Sequence, residues 1–143
     1  MTWYQRPLSK FGAQKTVFKN RVYDSKGEAG LAMELDLELR AGKLLKIEPQ
    51  VTFDLFAKNG QKVCTHRPDF LVTLPDGTQE VREYKGFATE IWRLKLKLFE
   101  DNYPHIPYWV ITPSGRKQFG KKKRNIRSRS ASRSLKIPLH QRN

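Results

Sequence analysis

The sequence predicts an α/β fold in which a mixed central sheet is flanked by helices. Three observations predict it. Two stretches carry apolar residues at helical spacing, each opened by a capping residue. Between them lie runs rich in β-formers, separated by turn dipeptides. The order then closes strand, helix, strand, which demands one parallel pair and therefore a mixed sheet.

Residues 1–23 read as a basic N-terminal arm, with 16–18 and 21–23 flanking Lys19-Asn20 as a small hairpin. Asp24 or Ser25 caps the first helix, and Ser25 to Glu28 has capping-box spacing. Leu31 or Ala32, Leu35 and Leu39 follow at helical intervals, and Gly42 is a natural stop. Residues 44–56 read as one strand bent at Pro49, with Asn59-Gly60 as a hairpin turn. Residues 63–74 and 78–84 give two more strands, joined by Pro75-Asp76-Gly77. Thr89 caps a second helix that runs to Tyr103, ahead of Pro104. Its 94–98 segment alternates as a strand would, but length, the cap and the absence of internal Gly or Pro decide for helix. Its apolar arc is expected to hold Ile91, Leu94, Leu98 and Phe99, with Lys95 among them. Residues 108–112 make the last strand. The folded body is thus expected over 1–114, and 115–143 as a Lys/Arg/Ser-rich tail, disordered when free.

The net charge of +14 is unevenly placed. All fourteen acids lie at or before Asp101, so residues 1–114 hold seventeen bases against fourteen acids, or +3. Residues 115–143 hold eleven bases and no acid. Such a polycation favours a polyanion through counterion release, and nucleic acid leads. A membrane surface fits less well, because the tail lacks an apolar face. No apolar run approaches the roughly 20 residues that span a bilayer, and no charged-then-apolar leader opens the chain. An unexported, cytoplasmic protein is expected. The single Cys64 excludes a disulfide framework and reads as a buried thiol. His66, His105 and His140 lack zinc-ligand spacing, Trp92 and Trp109 read as core, and no phosphate-binding glycine loop is present.

Chemistry concentrates in Arg67-Pro68-Asp69-Phe70 and Glu83-Tyr84-Lys85. Glu83 and Lys85, two apart on a strand, share a face. A three-residue loop with Gly77 left-handed pairs Leu74 with Thr78, and counting back sets Asp69 opposite Glu83. Opposed residues lie roughly 5 Å apart at Cβ, and a one-residue slip would separate the acids. Two facing carboxylates repel unless a cation sits between them, and hard divalent cations take such ligands. A lysine beside them can serve a water that attacks an anionic phosphate. The alternative is a surface ion pair of Lys85 with either acid, worth little energetically. The apolar flanks Phe70, Leu71, Val72 and Val81, the cap at Thr89 and the basic tail favour the metal site.

Pro68-Asp69 followed by Glu83-Tyr84-Lys85, with a glutamate in a preceding helix, resembles the signature of the PD-(D/E)xK nuclease superfamily. That superfamily has a restriction-endonuclease-like core of helix, three-strand meander, helix and strand, the order read here over residues 16–112. Residues 24–29, Lys85-Gly86 and residues 89–99 narrow the resemblance to small phage-encoded endonucleases, and the Pro68 and Glu83 segments to junction-resolving enzymes. The resemblance implies a metal-dependent DNA endonuclease using Mg2+ or Mn2+, acting on Holliday junctions or other branched DNA in a host cytoplasm. It implies that Asp69, Glu83 and the Tyr84 backbone carbonyl bind the metal, and that Lys85 orients or deprotonates the water. Glu28 would hold a metal-bound water or second ion, unless it is only a capping-box residue. Gln50 sits where some relatives place a polar site residue, or marks an edge bulge. Lys95 and, in the tail, Lys121, Lys122, Lys123, Arg124, Arg127, Arg129 and Arg133 are the expected phosphate contacts. Symmetric cutting of a junction implies a homodimer, with Trp3, Tyr4 and Phe11 of the arm packed between subunits. The competing readings are a nicking or single-strand-selective nuclease, and a non-catalytic basic DNA-binding protein.

The charge distribution carries a prediction of its own. Deleting the residues after Gly120 should weaken binding to every DNA shape alike. It should also flatten the slope of log affinity against log salt by about one unit per lost phosphate contact. An unchanged slope, measured by salt titration of both proteins, excludes the tail as a DNA contact.

Overall fold

A computed structural model of the protein describes residues 14–119. The arm residues Trp3, Tyr4 and Phe11 lie outside that range, as do Lys121, Lys122, Lys123, Arg124, Arg127, Arg129 and Arg133. The first described elements are β1 (Thr16–Phe18) and β2 (Arg21–Tyr23), an antiparallel hairpin. It turns through Lys19 and Asn20, both with positive φ (46° and 61°), as a two-residue loop between twisted strands requires. Helix α1 (Lys26–Arg40) follows, with Ser25 Oγ accepting the Glu28 N–H at 3.1 Å. It ends where Gly42 takes φ 72°.

Two prolines reshape the next region. Instead of one bent strand over 44–56, the chain forms β3 (Lys46–Pro49) and β4 (Phe53–Phe56). Instead of one strand over 63–74, it forms β5 (Lys62–His66) and β6 (Phe70–Thr73). The pairing is nevertheless in a single register. Pro49 faces Phe70 in the β3–β6 pair, and four residues on, Phe53 faces His66 in the β4–β5 pair. One long hairpin, turning near Gly60, has split in its middle. Pro49 and Pro68 supply no N–H at the split, and Gln50 takes φ 52° there. A single bond bridges the gap, from the Gln50 N–H to the Asp69 carbonyl at 2.9 Å. The tip half becomes a separate two-stranded sheet, and the base half enters the main one.

That main sheet has the order β3-β6-β7-β8-β9, with β7 (Gln79–Tyr84), β8 (Tyr108–Thr112) and β9 (Gly115–Phe119). Only β7 and β8 are parallel, joined across α2 (Glu90–Asn102), so the sheet is mixed. The folded body therefore extends past residue 114. The start of the basic tail pairs along the β8 edge, Arg116 forms an ion pair with Glu34 of α1, and Phe119 packs on the core. A charged strand suits an exposed sheet edge.

One helix lies on each side. Tyr23, Leu31, Leu35, Phe70 and Val72 bury the α1 side, while Phe53, Leu71, Val81, Phe99 and Tyr108 bury the α2 side. The face that α2 buries is Trp92, Leu96 and Phe99; of the expected arc Phe99 is buried and Leu98 half-buried, but Ile91 and Leu94 are 70% and 59% exposed. Positions i, i+4 and i+7 meet the sheet, and the aromatic pair Trp92 and Phe99 outweighs the smaller aliphatics. Cys64 is half-buried rather than buried. Trp109 is half-buried too, with its Nε1 donor enclosed and without a partner among the described residues.

The β6–β7 turn sets the register of the site. Leu74 N–H bonds the Thr78 carbonyl at 2.8 Å, Gly77 N–H bonds the Leu74 carbonyl at 2.9 Å, and Gly77 has φ 84°. Gly77→Val should cost about 1–2 kcal/mol, because a β-branched residue must take a left-handed backbone there. A denaturant midpoint unchanged from wild type would contradict this.

Candidate active site

Alternation along β7 sends its side chains to opposite faces. Arg82 turns to α1, where it pairs with Glu38 at 2.7 Å, and Tyr84 packs there as well. Val81, Glu83 and Lys85 turn to α2. The observed β6–β7 register, Phe70 to Arg82 through Thr73 to Gln79, carried one rung further sets Asp69 opposite Glu83. The turn chemistry read from the sequence therefore delivers both acids and the lysine to one place.

Glu83 is only 4% exposed. Its Oε2 accepts from the Trp92 indole N–H at 3.0 Å and from the Tyr108 hydroxyl. Its Oε1 accepts from Lys85 Nζ at 3.2 Å. With the single Tyr108 proton committed to Glu83, the 2.7 Å contact of the Tyr108 oxygen with His66 Nε2 must be a donation from His66. Burial lowers the His66 pKa, which keeps the ring neutral, and burial followed by the Glu83 charge raises that of Tyr108. The buried carboxylate thus has donors on both oxygens, as burial of a charge demands. Lys85 Nζ lies 5.2 Å from the Trp92 ring centroid, which holds the ammonium over the indole face.

Asp69 stands at the split in the long hairpin. Its Oδ2 accepts the Tyr84 N–H at 2.8 Å. Burial first, then the Glu83 and Glu28 charges, push its pKa up to about 7. Glu28 reaches the same locality from the N-terminal turn of α1, and burial is the largest cause of its own raised pKa, with Glu83 contributing. Its approach depends on Gly27, where a Cβ would fall 1.9 Å from Tyr84 Cζ. The Glu28 N–H is also the one that Ser25 Oγ accepts, so the capping and site readings coexist.

Gln50 supplies its backbone at the split and is exposed, which fits the bulge reading. Lys95 lies along the cleft, its Nζ donating to the Thr65 carbonyl at 2.9 Å. That cleft, about 590 Å³, is lined by Glu83, Lys85, Lys95, Arg67 and His66 together with three threonines. Sequence reasoning names Arg67 without giving it a role, and misses His66, Tyr108 and Trp92 as site residues. Only the adjacency of Arg67 to Pro68-Asp69 could have signalled a role for any of the four.

The donor set is three carboxylates with a lysine, hard oxygen ligands suited to magnesium or manganese rather than to a soft metal. They are coupled through their charges. As placed, no three Asp, Glu, His or Cys side chains among the described residues form a group that could hold an ion.

Residues 8–118 match the family described as a protein of unknown function, DUF1064. The chain belongs to that family. The match covers every residue of the cleft and all of the described strands but the last residue of β9. No curated protein and no solved structure matches the chain. No helix among the described residues is long and apolar enough to cross a membrane.

The raised Asp69 pKa has a defined sign. Its folded value, about 7, lies above the ordinary 3.8, so folding favours the protonated acid. The stability it contributes is fully present below about pH 4 and is lost as pH rises towards and through about 7. Asp69→Asn should therefore gain stability relative to wild type as pH rises over that window. A constant difference in melting temperature from about pH 4 to 8 would show that Asp69 ionises normally.

Proposed function

We propose that this protein is a divalent-metal-dependent DNA endonuclease of the PD-(D/E)xK type. The observation that carries the reading is the β6–β7 register, which sets Asp69 opposite Glu83 beside Lys85, with Glu28 of α1 near enough for its charge to act on Asp69. Burial raises the proton affinity of Asp69, and the charges of Glu83 and Glu28 raise it further. Without a cation the site relieves the repulsion between these charges by holding a proton on Asp69, whereas a divalent cation relieves it with the acids ionised. The order α1, the antiparallel β3, β6 and β7, then α2 and a parallel β8 also supports a restriction-endonuclease-like core.

Asp69, Glu83 and the Tyr84 carbonyl would hold the metal, with Glu28 supporting a bound water or second ion. When bound, Mg2+ or Mn2+ supplies positive charge at the phosphate and makes water a better acid. The chain's own residues do the rest. Trp92 and Tyr108 occupy Oε2 of Glu83 and so fix the direction of Oε1. Lys85 Nζ, an ammonium beside that oxygen, orients the attacking water and offsets the negative charge that builds on the phosphate, while the water's proton passes to solvent. The water oxygen bonds to phosphorus, the bond from phosphorus to the sugar oxygen breaks, and that oxygen leaves with a proton. Arg67 and Lys95 in the cleft offer charge to neighbouring phosphates, and the basic tail adds affinity. Branched DNA is the substrate class that the resemblance to junction-resolving enzymes suggests.

Plasmid nicking with magnesium, and with chelator, tests the reading. Asp69→Asn, Glu83→Gln and Lys85→Ala should each lower the rate by about 100-fold or more, with the double variants scarcely worse, as members of one catalytic unit behave. DNA binding should persist in all three. Binding without metal-dependent cleavage by the wild-type protein would instead make it a non-catalytic DNA-binding protein.

A further inference from the structure

Behind the catalytic cleft lies a second cavity, of about 680 Å³, between α2 and the β8–β9 edge. Trp92, Leu96, Val110 and Phe119 give it apolar walls. Its size falls within the roughly 300–1,000 Å³ typical of small-molecule sites. Lys85 and Trp92 line both this cavity and the catalytic cleft, so the two hollows share a wall. The proposed mechanism uses the Lys85 ammonium and the Glu83 side of Trp92, and leaves the cavity without a role.

Its lining has a definite chemical character. Two aromatic rings, Trp92 and Phe119, stand among aliphatic side chains. Trp92 is fixed by its bond to Glu83, and Phe119 lies under Lys117, whose Nζ is 5.1 Å from the ring centroid. Arg93, Lys97 and Lys117 are exposed cations of the lining, against one acid, Glu100. Apolar walls with aromatic faces suit a flat heterocycle, and surplus positive charge suits the phosphate attached to it. An aliphatic or acidic peptide side chain would use one of these features and not the other.

We infer that this cavity receives an unpaired nucleotide next to the scissile phosphate, the base between the Trp92 and Phe119 walls and its phosphate among Arg93, Lys97 and Lys117. The inference rests on the endonuclease reading and refines it. A base stacked in a duplex cannot enter, so the enzyme selects DNA with a nucleotide already free of pairing, as in a bulge, a flap or the branch of a junction. Such bases cost least to extrude.

The test separates this inference from the endonuclease reading by measuring binding and cleavage independently. The full chain carrying Asp69→Asn is titrated with a duplex holding one bulged 2-aminopurine, and with the fully paired duplex. The bulged DNA should bind about tenfold more tightly, the scale of one base–aromatic stack, with a change in 2-aminopurine fluorescence. Phe119→Leu, which keeps an apolar side chain against the core, should lose that ratio, while Phe119→Tyr should retain it. A purely structural role for Phe119 would leave the ratio intact in both. Equal binding of the two DNAs, or a preference untouched by Phe119→Leu, overturns the inference. Plasmid nicking by the Phe119→Leu protein with Asp69 restored is read separately, and persists if only the cavity assignment is wrong. A bulge preference that tracks Phe119 in a protein without metal-dependent cleavage retains the nucleotide pocket and removes the endonuclease.

Discussion

The pairing of β6 with β7 is the constraint on which the rest of the arrangement depends. Side chains alternate along a strand, so the register of one hairpin decides which groups meet. Gly77 adopts the left-handed conformation that closes a three-residue loop, and Leu74 then pairs with Thr78. Asp69 falls opposite Glu83 as a consequence, and Lys85 shares their face. Slipping by one residue would bury Arg82 among the aromatics of α2 and send Glu83 towards Glu38. That alternative places one charge without partners and two like charges together, both costly.

The split of the long hairpin is the second element of the design. An unbroken ladder would tie the backbone of Asp69 into regular pairing and cover its side chain. Pro49 and Pro68 interrupt the ladder instead, and Gln50 absorbs the turn with a positive φ. The tip, β4 and β5, swings over α2: Tyr103 donates to the Asp54 carbonyl, and Asn102 bonds Phe56 in both directions. The base, β3 and β6, stays with α1. Asp69 stands at the fork, its carboxylate held by the Tyr84 N–H.

Glu83 ties this fork to the core. It accepts from Trp92 of α2, Tyr108 of β8 and Lys85 of its own strand, and His66 of β5 stands behind Tyr108. A network of this kind is stable only when each member is satisfied. The polar centre is consequently also a fastening between the two sheets and a helix. Its residues have a structural duty beside the proposed chemical one, which is why conservative changes such as Glu83→Gln are more informative than truncation.

The sequence by itself determined the local pieces: the Lys19-Asn20 turn, the Ser25 and Thr89 caps, the Gly42 stop, the Gly77 loop and the parallel return to β8. Each follows from short-range rules acting on neighbouring residues. It also placed Asp69, Glu83 and Lys85 together, because a hairpin register is a local property. The tertiary structure decided what depends on contacts distant along the chain. No pattern within residues 44–74 announces that one hairpin will belong to two sheets, since that depends on which helix covers each half. The exposure of Ile91 and Leu94 was likewise settled by packing, since Trp92, Leu96 and Phe99 meet the sheet and leave that side of α2 uncovered. His66 and Tyr108 sit 42 positions apart, and only packing brings them together behind Glu83. Residues 115–119 look like the start of a solvated tail because charge dominates their composition. An unpaired β8 edge, a glutamate on α1 and a place for Phe119 make them a strand.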